Sequence, residues 1–358
     1  MSEEVPKKGK AGVVVNEGAD FRVEVQEVDI PEIKDDELLV RLNCTGLCMS
    51  DIHFMANDWA LPPMSAFGVR CAGHEGAGVV VKVGNAVKDW KVGDRAGIKP
   101  LSDVCHNCEE CWNGRDNYCP KGVYAGLMSQ GTYQQYLASP AIYTSRIPDG
   151  VPDEVAGPIM CSASTMHRAL IDSGLKPGNW VVFPGGGGGV GIQGVQLAKA
   201  MGMRPIVVDA GGKKDLCMKM GSEEFVDFQS ESDVAAKVKE ITGGIGAHGV
   251  LITAYQSYKD AFGYIGDRKG GKIMCIALPP AGTVNIGNEP SAFIFGNVHV
   301  IGTLVGTMQD TASALDYAKR GLLKPISEVR PMSRWQESID ELKAGKVAGR
   351  IVIDFNQD

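Results

Sequence analysis

The sequence contains no run of eighteen apolar residues, so we expect no membrane-spanning helix. Its first residues, MSEEVPKKGKAG, are polar and lack the apolar core of a secretory signal, which makes a cytoplasmic location the default expectation. Positive charge is not in excess either, because 36 Lys and Arg residues stand against 43 Asp and Glu residues, a net charge of −7. This balance argues against nucleic acid or an anionic membrane as a partner.

Cysteine, by contrast, is abundant, with ten residues among 358. In a reducing compartment these should be thiols or metal ligands rather than disulfides. Four of them, Cys105, Cys108, Cys111 and Cys119, follow the pattern C-x2-C-x2-C-x7-C. Four thiolates at this spacing can surround one zinc ion, and such bonds order a loop of low apolar content. Because a shell of four cysteines is closed, this zinc would be structural, and the chemistry must lie elsewhere.

The chain length is enough for two domains, and the pattern of strands and helices changes near Pro152. Before that point, apolar runs predict strands at 12–16, 21–28, 37–43, 76–83, 90–98 and 132–137. They indicate a barrel-like domain, residues 1–158, that carries the cysteine lobe at about 103–120. From residue 159 to 300, strands alternate with helices, which predicts a doubly wound parallel sheet. Residues 301–358 should return to the first domain, with a helix at 333–344 capped by Ser333 and a strand at 349–355.

A glycine loop lies between a predicted strand at 180–183 and a predicted helix at 190–201. Gly186, Gly188 and Gly191 form G-x-G-x-x-G, which lets the backbone approach a pyrophosphate at a helix N-terminus. Asp209 ends the next predicted strand, where a carboxylate accepts hydrogen bonds from the adenosine ribose and repels a 2′-phosphate. The combination favours NAD over NADP, although Lys213 and Lys214 leave some use of NADP open.

A second possible metal site is dispersed along the chain. Cys48 lies in GLCMSDIH, His74 in AGHEGAG and Cys161 in PIMCSAS. Two thiolates and one imidazole would leave a tetrahedral zinc ion with one open position, as in catalytic sites. Their spacing alone does not connect these three residues, since single buried cysteines and histidines are commonly structural.

The chain resembles the zinc-dependent medium-chain alcohol dehydrogenases of yeasts and filamentous fungi. The similar stretches include GLCMSDIH, GHEGAGVVVKVG, VGDRAGIK, the four-cysteine lobe, GTYQQY, PIMC, the glycine loop with QLAKAMG, GAHGV and VAGRIVIDF. They cover nearly the whole chain in the family's order. The resemblance implies an α/β architecture, with a GroES-like β-barrel catalytic domain and a Rossmann cofactor domain. It also implies two zinc ions per chain, NAD(H) and a small alcohol, aldehyde or ketone substrate.

The resemblance further implies roles for individual residues. Cys48, His74 and Cys161 would ligate the catalytic zinc, with Glu75 as a transient ligand. Asp51 would orient His74, Ser50 and His53 would relay a proton, and Arg350 would pair with the cofactor pyrophosphate. Further cofactor contacts are assigned to Gly189, Val190, Lys214, which could reach the ribose, and Ile276.

Two positions depart from the family pattern. Met49 stands where relatives commonly carry a histidine or arginine near the cofactor phosphates, so we expect weaker cofactor binding. Pro100 stands where yeast ethanol-type enzymes place a tryptophan in the substrate pocket, whereas Trp59 is retained. Losing one indole would open a space of roughly the size of a small aromatic ring, which favours a substrate larger than ethanol. Alternatively, a side chain such as Leu278 refills that space.

Other functions remain open on the sequence alone. A polyol or cinnamyl-type dehydrogenase would share every site named above. A non-catalytic NAD-binding protein would have no need of three zinc ligands together with Ser50 and His53, and a zinc-free quinone reductase would need neither cysteine set. Relatives form dimers or tetramers, and the apolar segment at 292–301 could supply an edge-strand contact for a homodimer or homotetramer.

Overall fold

The computed structural model describes residues 5–357. The chain divides into two compact units. One comprises Met1–Ser164, Gly306–Lys319 and Pro325–Asp358, and the other comprises Thr165–Val305 and Arg320–Lys324. The division falls six residues later than the predicted start of the second domain, so that Cys161 lies in the first unit with Cys48 and His74.

The described residues contain the following strands and helices. The strands are β1 Lys8–Val15, β2 Arg22–Asp29, β3 Glu37–Gly46, β4 Gly76–Val83, β5 Arg95–Ile98, β6 Leu101–Asp103, β7 Val123–Tyr124, β8 Tyr136–Pro140, β9 Ser145–Arg146, β10 Trp180–Pro184, β11 Arg204–Asp209, β12 Glu224–Asp227, β13 Gly249–Ile252, β14 Lys272–Cys275, β15 His299–Gly302, β16 Ser327–Pro331 and β17 Arg350–Asp354. The α-helices are α1 Met49–Ala56, α2 Glu109–Trp112, α3 Asp153–Pro158, α4 Ser164–Ser173, α5 Gly189–Ala200, α6 Lys214–Lys219, α7 Val234–Ile241, α8 Ala261–Ile265, α9 Pro290–Ile294, α10 Met308–Lys319 and α11 Trp335–Lys343.

The first unit is built on a mainly antiparallel sheet in the order β16-β17-β3-β4-β5-β9, with β8 also paired to β3. Strands β1 and β2 form a separate antiparallel ribbon, and β6 pairs with β7. As predicted, the C-terminal strand returns to this unit, because β17 lies between β16 and β3. Leu38, Val40 and Leu42 alternate along β3 and enter one core with Trp335 of α11.

The second unit contains a parallel sheet in the order β12-β11-β10-β13-β14-β15. Numbered from β10, this is the order 3-2-1-4-5-6 of a doubly wound dinucleotide-binding sheet, which confirms the predicted fold class for this unit. The central strands are buried throughout; in β10, for example, all five residues are buried. This pattern is expected of parallel strands that are covered on both faces.

Two segments differ in detail from their expected local structure. The apolar segment at 292–301 is extended only in its last part, since Pro290 begins α9, Asn297 adopts a positive φ of 48° and β15 begins at His299, where it forms the edge of the parallel sheet. Ser333 does not cap α11, because it lies inside a 3-10 turn and the helix begins at Trp335.

In the described part of the chain, no helix is both long enough and apolar enough to cross a membrane.

Candidate metal centres and cofactor loop

The cysteine lobe brings its four thiols together. The sulfur atoms of Cys105, Cys108, Cys111 and Cys119 all lie within 4.8 Å of one another, with 3.6 Å between Cys108 and Cys111 and 3.9 Å between Cys108 and Cys119. Four thiolates about 2.3 Å from one tetrahedral ion stand roughly 3.8 Å apart, and disulfide sulfurs stand about 2.05 Å apart. The arrangement therefore fits a structural zinc ion. The backbone N–H of Asn107 lowers the pKa of Cys105 to about 7, which favours the thiolate.

The dispersed residues also converge. The donor atoms of Cys48, His74, Glu75 and Cys161 lie within 4.8 Å of one another, and all four residues are buried. Cys48 precedes the first turn of α1, His74 and Glu75 precede β4, and Cys161 lies in a π-helical turn, Ile159–Ala163, between α3 and α4. Such single turns carry functional residues in many helices, because the extra residue redirects the side chain. Apart from this cluster and the lobe, no further metal-ligating group of three or more is found among residues 5–357.

Asp51 connects two residues of this cluster. Its Oδ1 lies 2.7 Å from Nδ1 of His74, and its Oδ2 accepts a hydrogen bond from the backbone N–H of Cys48 at 3.1 Å. Because Nδ1 is held by Asp51, Nε2 is the nitrogen left for a metal. Tyr133 also donates to Oδ2, at 3.1 Å. The sequence carries no local signal of this contact, because Tyr133 lies 82 residues after Asp51.

The charge state of the cluster also suits a cation. A hydrogen bond from Cys161 lowers the pKa of Cys48 well below its ordinary value, against the opposing effect of burial. Burial alone would lower the pKa of His74, but Asp51 and Cys48 together raise it to about 10. The imidazole is therefore placed to accept a positive charge at Nε2, and a metal ion there takes the place of the proton. Two soft thiol ligands and one imidazole are the donor set that zinc prefers.

Glu75 is held by Arg350. The guanidinium contacts both carboxylate oxygens, with 3.1 Å between Nε and Oε2, and both side chains are almost fully buried. Gly46 makes room for the carboxylate, because a Cβ at residue 46 would lie 2.1 Å from Oε2 of Glu75. The ligand role of Glu75 and the pyrophosphate role of Arg350 stay predictions.

Ser50 and His53 follow Cys48 on α1, three residues apart and so on one face of the helix. The hydroxyl of Ser50 lies 3.8 Å from the sulfur of Cys48. Nδ1 of His53 lies 2.7 Å from the carboxylate of Asp58, and the imidazole stacks on Trp59 with 4.8 Å between ring centroids. The neighbouring Asp58 and Trp59 therefore fix the orientation of the ring.

The residues predicted to line the substrate pocket, and Met49, differ in exposure. Pro100 is buried after β5, Trp59 is partly buried, and Leu278 is 56% exposed. Met49 is 39% exposed at the start of α1. Their roles in substrate or cofactor binding stay predictions.

The glycine loop has the expected local structure. It joins β10 to α5, and Gly188 is the N-cap of that helix. A Cβ at Gly191 would lie 2.6 Å from the carbonyl oxygen of Gly185, so only glycine permits this close turn. The carboxylate of Asp209 accepts hydrogen bonds from the backbone N–H groups of Gly187 at 2.9 Å and Ala210 at 2.8 Å.

Lys213, rather than Lys214, approaches the carboxylate of Asp209. Nζ of Lys213 lies 3.4 Å from Oδ1 of Asp209, whereas Lys214 begins α6. Gly189 and Val190 form the first residues of α5, and Ile276 directly follows β14. The cofactor roles of these residues stay predictions, but the turn, the helix N-terminus and the acidic strand end match the chemistry of dinucleotide binding.

Comparisons with known proteins agree with this organisation. Residues 34–149 match the model of the alcohol dehydrogenase GroES-like domain, and residues 189–320 match that of the zinc-binding dehydrogenase. An alcohol dehydrogenase of Schizosaccharomyces pombe is 40% identical, with 99% of each chain covered. Alcohol dehydrogenase 2 of Emericella nidulans is 36% identical, again with 99% of each chain covered. The crystal structure of an NAD-dependent alcohol dehydrogenase is 27% identical, has a TM-score of 0.84, and covers 96% of this chain and 99% of its own.

Proposed function

The chain belongs to the zinc-binding alcohol dehydrogenase family, and we propose that it is an NAD-dependent, zinc-dependent enzyme that interconverts an alcohol with an aldehyde or ketone. The observation that carries the proposal is the convergence of Cys48, His74, Glu75 and Cys161 within 4.8 Å, with Asp51 behind His74. A zinc ion, when bound, acts as a Lewis acid toward the substrate oxygen, and the nicotinamide supplies the hydride chemistry.

Residues of the protein would then accept the hydroxyl proton of the alcohol and pass it to solvent. Ser50 lies next to the ligand Cys48, so its hydroxyl is placed to accept the proton of an alcohol. The imidazole of His53 can both accept and donate a proton, which suits proton transfer to solvent. Nδ1 of His53 would donate a hydrogen bond to the carboxylate of Asp58, 2.7 Å away, and Nε2 would then be the proton acceptor. In the reverse direction the same groups would return the proton.

The cofactor would be NAD rather than NADP because the strand end presents Asp209 instead of a cation. Two backbone N–H groups hold the carboxylate, so it is fixed before a ribose arrives. Met49 cannot donate a charged hydrogen bond to a phosphate, and we expect it to make cofactor binding weaker than a basic residue would. Pro100 in place of a large aromatic residue favours a substrate bulkier than ethanol.

The experiment that tests the function is zinc analysis followed by initial-rate oxidation of NADH over aldehydes from ethanal to a substituted benzaldehyde. We expect about two zinc ions per chain and higher kcat/KM for the large aldehydes, with little rate in an NADPH control. Pro100→Trp should penalise the large aldehydes selectively. A wild-type preference for ethanal, or an equal loss across all sizes in the variant, would contradict the enlarged pocket. A protein with one zinc ion or none, and no dehydrogenase activity, would contradict the function itself.

We also propose that the chain forms a homo-oligomer through the cofactor-binding unit. Strand β15 is the edge of the parallel sheet, and Ile294 and Phe295 before it are 72% and 78% exposed. A second copy placed against this edge would cover both side chains and supply the missing strand neighbour. Light scattering of Phe295→Glu should show a smaller species than the wild type, and an unchanged mass would exclude this surface.

A further inference from the structure

Tyr133 is fully buried, and its hydroxyl contacts Asp51, the carboxylate beside the dispersed metal cluster. It donates to Oδ2 of Asp51 at 3.1 Å, while Oδ1 of the same carboxylate lies 2.7 Å from Nδ1 of His74. The backbone N–H of Cys48 also donates to Oδ2 of this carboxylate. Two of the three polar contacts of this carboxylate therefore come from Cys48 and His74 of the cluster, and Tyr133 supplies the other from a different segment of the chain.

The backbone fixes the position of Tyr133 relative to His74. Three consecutive N–H groups of the segment 131–133 donate to three consecutive carbonyl oxygens of the segment 71–73, at 2.7, 3.0 and 2.9 Å. The fit depends on Gly73, which has a φ of +92° and whose Cβ, if present, would lie 2.3 Å from the ring of Tyr133. The tyrosine is thus attached to the loop that leads directly into His74.

The ring of Tyr133 also packs against Trp335. Its centroid lies 5.0 Å from that of Trp335, which is 1% exposed in the core of the first unit. Because the ring is packed and the backbone is paired, the hydroxyl has a single position available to it. Such an arrangement is typical of a group that orients a ligand.

We propose that Tyr133 is a positioning residue for the metal centre: its hydroxyl holds the Asp51 carboxylate so that Asp51 aligns His74 for the metal. The proposal rests on the proposed function in taking Cys48, His74 and Cys161 as zinc ligands. Without the hydroxyl, Oδ2 of Asp51 keeps only the N–H of Cys48, and a buried carboxylate with a missing donor is free to reorient. His74 then loses its fixed direction, and the metal is released more readily.

The test is the release of zinc from the intact protein to a chromophoric chelator, compared between the wild type and Tyr133→Phe. We expect one zinc ion of the variant to leave about tenfold faster, the lower end of the effect of outer partners of metal ligands. The zinc ion of the cysteine lobe should leave at the wild-type rate, which makes it an internal control. Asp51→Asn, which removes the carboxylate itself, should accelerate release further.

Tyr258→Phe is the matched control, since it removes another buried tyrosine hydroxyl, which donates to the carbonyl oxygen of Ala277 at 2.8 Å in the other unit. It should leave both release rates unchanged. In the cobalt-substituted protein, Tyr133→Phe should shift the visible ligand-field bands, whereas Tyr258→Phe should not. A purely structural role for Tyr133 would lower thermal stability without moving those bands.

Wild-type release rates and cobalt bands in Tyr133→Phe would overturn the positioning role while leaving the proposed function intact. Equal acceleration by Tyr133→Phe and Tyr258→Phe would also overturn it, because the effect would then be general loosening of the fold. A wild-type protein that holds only the zinc ion of the lobe would instead contradict the proposed function, and the role of Tyr133 with it.

Discussion

The two cysteine-containing clusters of the first unit reach similar donor distances by different means. The lobe takes all four sulfurs from one short segment, and only Cys119 among them is buried. The dispersed cluster takes its donors from the residue before α1, the loop before β4 and a π-helical turn, and every donor residue is buried. The lobe would therefore depend on a bound metal for order, whereas the dispersed cluster is assembled by the sheet and by contacts such as those to Asp51. Removing the metal should accordingly disorder the first and leave the second largely in place.

The largest effect should come from breaking the lobe with Cys108→Ser. Three thiols hold zinc less well than four, and in such lobes the free energy of metal binding is also free energy of folding. We expect the zinc content to fall by about one ion per chain and the melting temperature to drop strongly. Cys275→Ser, outside both clusters, should keep the wild-type zinc content. If Cys108→Ser retains all of its zinc, the lobe is not a metal site.

A smaller effect is expected from the ion pair behind the dispersed cluster. Arg350→Met leaves Glu75 buried and unpaired, which should lower the free energy of unfolding by about 3–5 kcal/mol. Combining it with Glu75→Gln should restore most of the stability in denaturant unfolding. If Arg350 also binds the cofactor pyrophosphate, NAD affinity should remain low in the double variant although stability returns. A double variant no more stable than Arg350→Met would argue that the pair contributes through packing rather than charge.

The smallest effect concerns Lys99, which lies beside the lobe. Its Nζ has no hydrogen-bond partner among the described residues and lies 3.2 Å from the centroid of the Tyr143 ring. Burial lowers the pKa of Lys99 from 10.5 to about 7, although Asp116 and Asp103 oppose the shift. Between these two values the unfolded chain binds a proton that the folded chain does not, so the free energy of unfolding should rise with pH by up to about 1.4 kcal/mol per pH unit.

Lys99→Met should remove that contribution, and its difference from the wild type can be followed by denaturant unfolding between pH 7.5 and 9.5. The wild type should gain stability relative to the variant as the pH rises. Lys176→Met, at an exposed position, should show no such trend. Parallel pH profiles for the wild type and Lys99→Met would mean that the buried amine keeps its proton in the folded protein.

The elements that the sequence predicts well are those with a local signal. Strand β4 begins and ends at the predicted residues, because a largely apolar run ends there at the turn residues Gly84 and Asn85. The glycine loop and the lobe are equally local. The segment at 292–301 is extended only in part, because a turn at Gly296 and Asn297 interrupts its apolar run. Both residue types are typical of such a break.

The environment of the dispersed cluster could not be predicted in the same way. Two of its contacts depend on which distant segments the fold brings together. Glu75 pairs with Arg350, and Tyr133 donates to Asp51. The family resemblance predicted the ligand residues, but it did not predict these two contacts. Only the three-dimensional packing shows that Gly46 has no side chain because Glu75 occupies that space.

Strand β17 has a consequence for the order in which the protein is made. It lies between β16 and β3, so the sheet that supports the dispersed cluster stays open until residues 350–354 have been synthesised. All six strands of the parallel sheet, in contrast, precede residue 303. During synthesis, the glycine loop can therefore fold before β17 has been made. The cluster of Cys48, His74 and Cys161, in contrast, lacks part of its supporting sheet until β17 is present. Shortening the chain before β17 should yield a protein with a folded parallel sheet and an unfinished N-terminal unit.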